Sequence, residues 1–338
     1  MNVLLIQLKR IGDLILTVPV IAAVRKHFPA AKISLVVAHG SRELLPAIPG
    51  VDRAFVASGR ASDVALWFAI GTAKFDDCLD FSRTDRSAFL TLLSGARSRV
   101  TYDSGRSEPI RQLSYNRFIP SQVRTVHTVD HHLALLAPLG VHDASPQIQL
   151  ALPDATQRKA AEIIAAQQLG DDFIVIHPGS ARAEKFWEAR RWAEVANEFQ
   201  AKEPARFVVT GGSSAMEQDH IAQIKAHVQQ PLVDLSGRID LLTLAALIQR
   251  ARLLITVDSA PMHLAAAFGT PQVVLFGPTN PLHWRPRAAP AVVLHGSGSW
   301  ELRDFAARQA PATMKEISTA QVIDAMQSLL SKPAARVS

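Results

Sequence analysis

The sequence predicts an α/β chain built from two doubly wound domains. Short apolar runs alternate with amphipathic stretches, once from Val3 and again from Phe173. This is the βαβ rhythm of parallel sheets. The second cycle is compact and its loops are short, which supports a doubly wound unit. The length of 338 residues suits two domains of about 100–200 residues each.

In the first half, Val3–Leu8 reads as a strand, Asp13–His27 as one helix and Lys32–Val37 as the next strand. Asp77–Phe81 supplies another strand, followed by a helix over Arg86–Leu93. A linker is expected within Leu152–Asp172, which includes a helix-like Ala155–Ala166. The second cycle runs through the strand Phe173–His177, the helix Ala189–Ala201, the strand Arg206–Thr210, the helix Ala215–His227 and a short strand at Leu232–Asp234. The helix Leu241–Gln249, the strand Leu253–Val257, the helix Pro261–Phe268 and the strand Gln272–Phe276 follow. Thr319–Leu330 reads as a final helix before a loose polar tail from Pro333.

Hydrophobic content of 48% with 20% charged residues indicates a globular chain. The net charge of +6 and the isoelectric point near 9.7 favour anionic partners: nucleic acid, acidic lipid or phosphorylated sugar. The single cysteine, Cys78, excludes an internal disulfide and reads as a core filler in a reducing compartment. The N-terminus lacks a basic leader, and Lys9, Arg10 and Asp13 interrupt its apolar stretch, so a signal peptide is not expected. No uncharged apolar run of about 18 residues marks a membrane span. A cytoplasmic protein is expected.

The chemistry-bearing residues cluster where strands give way to helices. Asp258-Ser259-Ala260-Pro261-Met262-His263 follows a strand and opens a helix. Small residues let backbone amides approach a ligand, and the first turn of a helix favours anions. His263, one turn on, can also face a phosphate. Read alone, the turn serves as well as an N-cap built on Asp258 or Ser259. The loop from His177-Pro178-Gly179-Ser180 to Lys185-Phe186-Trp187 carries Ser180, Arg182 and Lys185 as phosphate donors, without P-loop spacing. Thr210-Gly211-Gly212 with Glu217 offers a carboxylate for ribose hydroxyls, or a dipole-favoured acid in a first turn.

In the first half, Lys9-Arg10-Ile11-Gly12-Asp13 links strand to helix. Asp13 is either an N-cap or a general base that takes a proton from an attacking hydroxyl. The region Arg97–Arg124 holds Arg97, Arg99, Arg106, Arg111, Arg117 and Arg124 against Asp103 and Glu108. Arginine suits bidentate phosphate binding, although such a run is also what a solvated face looks like. No GxGxxG follows the first strand, which disfavours a dinucleotide-binding dehydrogenase, and no CxxC or HExxH metal motif occurs. Asp130-His131-His132 reads as helix surface, since sequence neighbours point to different faces.

Together these segments resemble glycosyltransferase family 9, the bacterial lipopolysaccharide heptosyltransferases. The resemblance covers nearly the whole chain. It rests on Leu4-Leu5-Ile6 with Arg10–Asp13, on His177-Pro178-Gly179 with Lys185 and Trp187, on Gly211-Gly212 with Glu217, and on the specific stretch Asp258–Pro278. It implies a GT-B architecture: two Rossmann-like domains facing across a cleft, with residues 1–160 for the acceptor, 161–318 for the nucleotide-sugar, and 319–338 as a terminal helix and tail. It also implies ADP-heptose as donor, inversion at the anomeric carbon, and no metal or other cofactor.

By this resemblance Asp13 is the general base. Lys185 and Ser180 hold the donor phosphates, Glu217 the ribose and Ile239 the adenine. Asp258, Ser259, Ala260 and His263 hold the pyrophosphate and sugar. Lys9, Arg10, Arg97 and Arg99 are candidates for binding a phosphorylated lipopolysaccharide core. Peripheral contact with the cytoplasmic face of the inner membrane is expected, and nucleic acid is not. The chain departs from some members in having Ala260 where glycine often stands and Glu188 where proline often follows the tryptophan. Ala260 leaves room for a different donor sugar. The DSAPMH form and His283-Trp284-Arg285-Pro286 are similar to the members that add the third, branching heptose.

A metal-free route is physically reasonable, because helix amides and Lys185 can stabilise a departing nucleoside diphosphate. Two other readings remain: a sugar-nucleotide epimerase of the same architecture, and a non-enzymatic module binding acidic lipid or nucleic acid through its arginines.

Overall fold

The computed structural model describes residues 1–59, 63–103, 111, 113–287, 289–296, 298–299 and 312–331. Arg106, Glu108 and the tail from Pro333 lie outside the described residues. The chain divides into two compact units, Met1–Ala151 and Leu152–Ser338.

Among its described residues the first unit has six strands: β1 Asn2–Gln7, β2 Lys32–Ala38, β3 Arg53–Ala57, β4 Asp77–Asp80, β5 Ser98–Asp103 and β6 Arg117–Pro120. They form one sheet in the order β3-β2-β1-β4-β5-β6, and every pairing is parallel. Val3 to Ile6 of β1 are fully buried, as a central strand covered on both faces requires.

The second unit has β7 Phe173–His177, β8 Arg206–Val209, β9 Val233–Asp234, β10 Leu253–Val257, β11 Gln272–Phe276, β12 Ala291–His295 and β13 Gly298–Ser299. Their order is β13-β12-β11-β10-β7-β8-β9. Only the β12–β13 pair is antiparallel. Apart from β13, this is the first unit's permutation repeated. In each unit the winding reverses beside the first strand: between β1 and β4, and between β7 and β10. In open parallel sheets, ligands bind outside the carboxyl ends of the strands at that reversal.

The expected domain limits shift. The helix Asp154–Ala166 belongs to the second unit, where Lys159 Nζ donates to Asp240 Oδ2 at 2.6 Å and Gln157 Nε2 donates to Gln249 Oε1 at 2.6 Å. The division therefore falls after Ala151 and not at residue 160. The helix Thr319–Leu330 is no appendage either. Its Val322, Ile323, Met326 and Leu329 share the second unit's main core with Trp187, Trp192, Phe199 and Phe207. Trp187 Nε1 donates to Ile317 O at 3.0 Å just ahead of that helix.

The single helix expected over Asp13–His27 is two, Ile11–Ile15 and Val18–His27. Pro19 sits in the first turn of the second. There its missing N–H costs nothing, whereas it would break a continuous helix. The helix Val64–Thr72 was not anticipated, because VALWFAIGT has no polar face to set a period. Cys78 is a buried core residue whose thiol burial pushes up to about 12.

Candidate active site

In the second unit, the turns after β7 and β10 meet at the winding reversal. Lys185 closes the short turn Ala183–Lys185. Its Nζ donates to Asp258 Oδ2 at 2.6 Å and to Asp258 O at 3.0 Å. Thr279, just past β11, donates its hydroxyl to the same Oδ2 at 2.7 Å. Lysine and aspartate are both buried, so each charge compensates the other where water cannot. Thr279 was missed in the sequence. The signal available was its place directly after Gly277-Pro278, at the third adjacent strand end.

Ser259 stands at the N-cap position of the helix Ala260–Phe268, yet no side chain caps that helix. Its hydroxyl turns back to Val257 O and Thr256 Oγ1, each at 3.2 Å. The backbone at Ala260 is thus not covered by a capping side chain, as an anion site requires. His263, one turn in, is buried, and burial lowers its pKa to about 4, with Lys185 acting in the same sense and Asp258 opposing. It can offer a neutral imidazole there but no positive charge.

His177 pins the strand ends behind these turns. Its Nδ1 lies 3.0 Å from Thr210 Oγ1, and its carbonyl accepts from Thr256 Oγ1 at 2.9 Å. Ser180 follows and is half-buried. Arg182 is paired with Glu184.

Glu217 links the turns after β7 and β8. Its carboxylate accepts from Ser214 Oγ at 3.0 Å and from Gly212 N at 3.3 Å. A Cβ added at Gly179 would stand 2.3 Å from Oε1, and one at Gly212 would stand 2.5 Å from Oε2. Both glycines are needed for the carboxylate to lie where it does. Glu217 is at once a first-turn helix acid and a group at the strand ends, so its two sequence readings are compatible. The turn carrying Ile239, which is half-buried, is tied to this region by Gly237 N donating to Gly211 O at 3.0 Å.

In the first unit, Asp13 lies in the helix Ile11–Ile15 after β1. The N-cap is Arg10 and not Asp13. Asp13 Oδ2 accepts from Arg10 N at 3.3 Å. Burial pushes its carboxyl above the usual carboxylate range, against the pull of Lys9 and Arg10. Thr17 Oγ1 donates to Asp13 O at 2.8 Å and accepts from Gln7 Nε2 at 2.9 Å. His132 Nδ1 reaches Thr17 Oγ1 and Leu16 O, each at 3.2 Å.

The glycine turns, Glu217, Lys185 and the Asp258–His263 turn thus stand at strand ends in the second unit, with Asp13 at a strand end in the first. The model of glycosyltransferase family 9 (heptosyltransferase) matches residues 64–313. The chain belongs to glycosyltransferase family 9. A lipopolysaccharide heptosyltransferase 3 of Escherichia coli is 28% identical over 285 residues, covering 81% of this chain and 83% of the relative. The crystal structure of a family 9 glycosyltransferase from Veillonella parvula DSM 2008 superposes with a TM-score of 0.84 at 25% identity, covering 97% of each chain. The E. coli ADP-heptose lps heptosyltransferase II structure gives a TM-score of 0.77 at 20% identity over 98% of each chain, a likeness of fold. The two repeated doubly wound units are those of the GT-B class.

The glycosyltransferase's other expected residues divide. Lys9 and Arg10 are exposed beside Asp13. Arg97 and Arg99 are not with them. They lie at the amino end of β5, where Ser98 pairs with Asp77 and Asp77 with Val3, the opposite edge of the sheet from Asp13. Arg99 is also committed to the backbone, donating through Nε to Ser114 O at 2.8 Å and through Nη1 to Ala96 O at 2.9 Å. Arg111 is paired with Asp85.

His131 and His132, read as helix surface, are buried in the glycosyltransferase's first unit. His131 stacks on Tyr102 with ring centroids 3.7 Å apart, while His132 meets Thr17. The two do point different ways, but both into the protein. Among the described residues no group of three or more His, Cys, Asp or Glu is arranged to hold a metal. Asp80, unremarked in the sequence, ends β4 fully buried. It accepts from Ser82 N at 2.8 Å, Arg83 N at 3.1 Å and the Tyr115 hydroxyl at 2.6 Å. Burial pushes its carboxyl up. It holds the turn after β4 and is enclosed too completely to meet a substrate.

Proposed function

We propose that this family 9 enzyme transfers heptose from ADP-heptose to a hydroxyl of a phosphorylated lipopolysaccharide core. The transfer inverts the anomeric carbon and uses no metal. The observation that carries this reading is the Lys185–Asp258–Thr279 cluster at the start of a helix without a side-chain cap. A nucleoside diphosphate gains negative charge as it leaves, and a fixed cation beside helix amides stabilises that charge without reorganising. The names of the relatives supply the sugar and the acceptor class.

In this reading Lys185 and Ser180 bind the donor phosphates, Glu217 the ribose and Ile239 the adenine. Asp258, Ser259, Ala260 and His263 face the pyrophosphate and sugar, with His263 neutral. Asp13 accepts the proton of the attacking hydroxyl. Its raised pKa makes it a stronger base than an exposed carboxylate. Lys9 and Arg10 draw the anionic acceptor. The enzyme works in the cytoplasm at the inner membrane.

A mass-resolved assay tests this, with ADP-heptose and truncated lipopolysaccharide cores of defined length, with and without chelator. The expected result is one added heptose, chelator-insensitive, with β and α products told apart by NMR. Consumption of donor without acceptor would favour the epimerase reading, and a retained anomeric configuration would overturn the inverting one.

A further inference from the structure

The helix Val64–Thr72 is anomalous in its composition. It has no charged residue, yet only Leu66 and Ile70 are buried. A helix apolar all round is ordinarily enclosed. Here Phe68 is 74% exposed, Val64 59% and Trp67 36%. The helix Asp85–Leu93 extends the surface. Trp67 meets Phe89 edge to face, with ring centroids 5.4 Å apart, and Phe89 and Leu92 are exposed too. A continuous apolar face of this kind marks an interaction site.

Its charges are disposed around it. Lys74 and Arg97 are exposed just beyond the C-terminal ends of the two helices, and Arg83 and Arg86 lie half-buried at the start of the second, where Arg86 also faces the buried Asp63. The acids are engaged. Asp85, the one acid on either helix, pairs with Arg111. Asp63 is buried and accepts from Ser58 N at 2.9 Å and Gly59 N at 2.8 Å. Asp76 accepts from Asn2 N at 2.7 Å.

Aromatic and aliphatic side chains between cations match a bilayer surface with anionic headgroups. Tryptophan sits at headgroup depth, the apolar side chains go deeper, and lysine and arginine meet lipid phosphates. A two-fold contact with a second copy would instead set the same cationic patch against itself. We propose that the exposed face of Val64–Thr72 and Asp85–Leu93 docks the enzyme on an anionic lipid bilayer. This rests on the reading of a lipopolysaccharide acceptor and names the surface that meets its membrane.

The test is co-sedimentation of the full chain with vesicles of phosphatidylethanolamine and phosphatidylglycerol, against phosphatidylcholine alone. Binding to the anionic vesicles should weaken as salt rises. Phe68→Glu and Leu92→Glu should each lower the partition coefficient at least about tenfold without changing the melting temperature. Val123→Glu, at an exposed apolar residue outside both helices, should leave it unchanged. In a Trp284→Phe, Trp300→Phe background, Trp67→Phe should keep binding but remove most of the quenching by brominated acyl chains, because the two remaining tryptophans, Trp187 and Trp192, are fully buried. Unchanged vesicle binding in both glutamate variants overturns the proposal. So does light scattering that shows a dimer dispersed by them, with no vesicle binding by the wild type. Transfer to a lipid-free core oligosaccharide should be equal in Phe68→Glu and wild type. Vesicle binding without any such transfer would sink the transferase reading and leave the docking surface standing.

Discussion

Lys185 Nζ stands 2.6 Å from Asp258 Oδ2, and both residues are more than nine-tenths buried. They come from turns 73 residues apart in sequence that meet because β7 and β10 are neighbours. The lysine is therefore held in place before any phosphate arrives, and its carboxylate partner is itself fixed by Thr279. Removing either partner leaves a buried charge uncompensated. Lys185→Ala and Asp258→Ala should each lower unfolding free energy by about 3–5 kcal/mol, and the double variant should cost clearly less than their sum. Urea unfolding of the four proteins measures this; strict additivity would show that the pair is not coupled. Calorimetry on Lys185→Ala should also show ADP binding weakened about tenfold or more, as expected for a lost charge-assisted contact.

Asp13→Asn keeps the shape of the turn after β1 and removes the base. Transfer should fall by about 10²–10⁴ in kcat, with ADP-heptose affinity within about twofold in calorimetry. In the wild type, activity should fall as pH drops through the raised Asp13 pKa, and that acidic limb should vanish from the residual activity of the variant. A variant with full activity would rule out the base assignment.

Gly179→Ala separates ligand binding from stability. The three atoms nearest the added Cβ all belong to the Glu217 side chain, from its carboxylate to Cγ, and that side chain can swing away. Stability should change by no more than about 1 kcal/mol, while ADP affinity should fall about as much as in Glu217→Ala. Parallel thermal melts and ADP titrations of the two variants check this. A large drop in melting temperature would show that the backbone, and not the carboxylate, had moved.

Acid should destabilise the fold through its buried histidines. Burial lowers His132 to about 3, and His177 and His263 to about 4, below the ordinary value near 6.5. Between those values the unfolded chain binds more protons, so stability is full above about pH 6.5 and declines as pH falls towards 4. Asp13 and Asp80, whose carboxyls burial pushes up, act in the opposite sense at the acidic end of this range. Melting temperatures from pH 7.5 to 4.5 should fall for the wild type and fall less for His177→Gln. Equal slopes would remove His177 from the account.

The second unit was legible from Phe173 to Phe276, although the strand Ala291–His295 beyond it was not read. Phe173–His177, Leu253–Val257 and Gln272–Phe276 are apolar runs with small or polar residues at their ends, and the strands observed have the same limits. The first unit was less so. Strands β3, β5 and β6 begin on Arg53, Ser98 and Arg117 and are only partly buried, so their apolar signal is weak. His131 and His132 looked like surface residues because polarity alone stood for exposure; their burial depends on Tyr102 and Thr17, far off in sequence.

By itself, the order of apolar runs and turn residues determined two parallel α/β units, with the reactive residue types at strand ends, because local periodicity and backbone permission are written in neighbouring residues. Tertiary structure decided which of those groups act together. It joined Lys185 to Asp258 and Thr279, cradled Glu217 between Gly179 and Gly212, and put Arg97 and Arg99 at the opposite end of the sheet from Asp13. It also left Phe68 and Trp67 facing outward. These outcomes depend on strand order and on burial, and both arise only when distant segments pack.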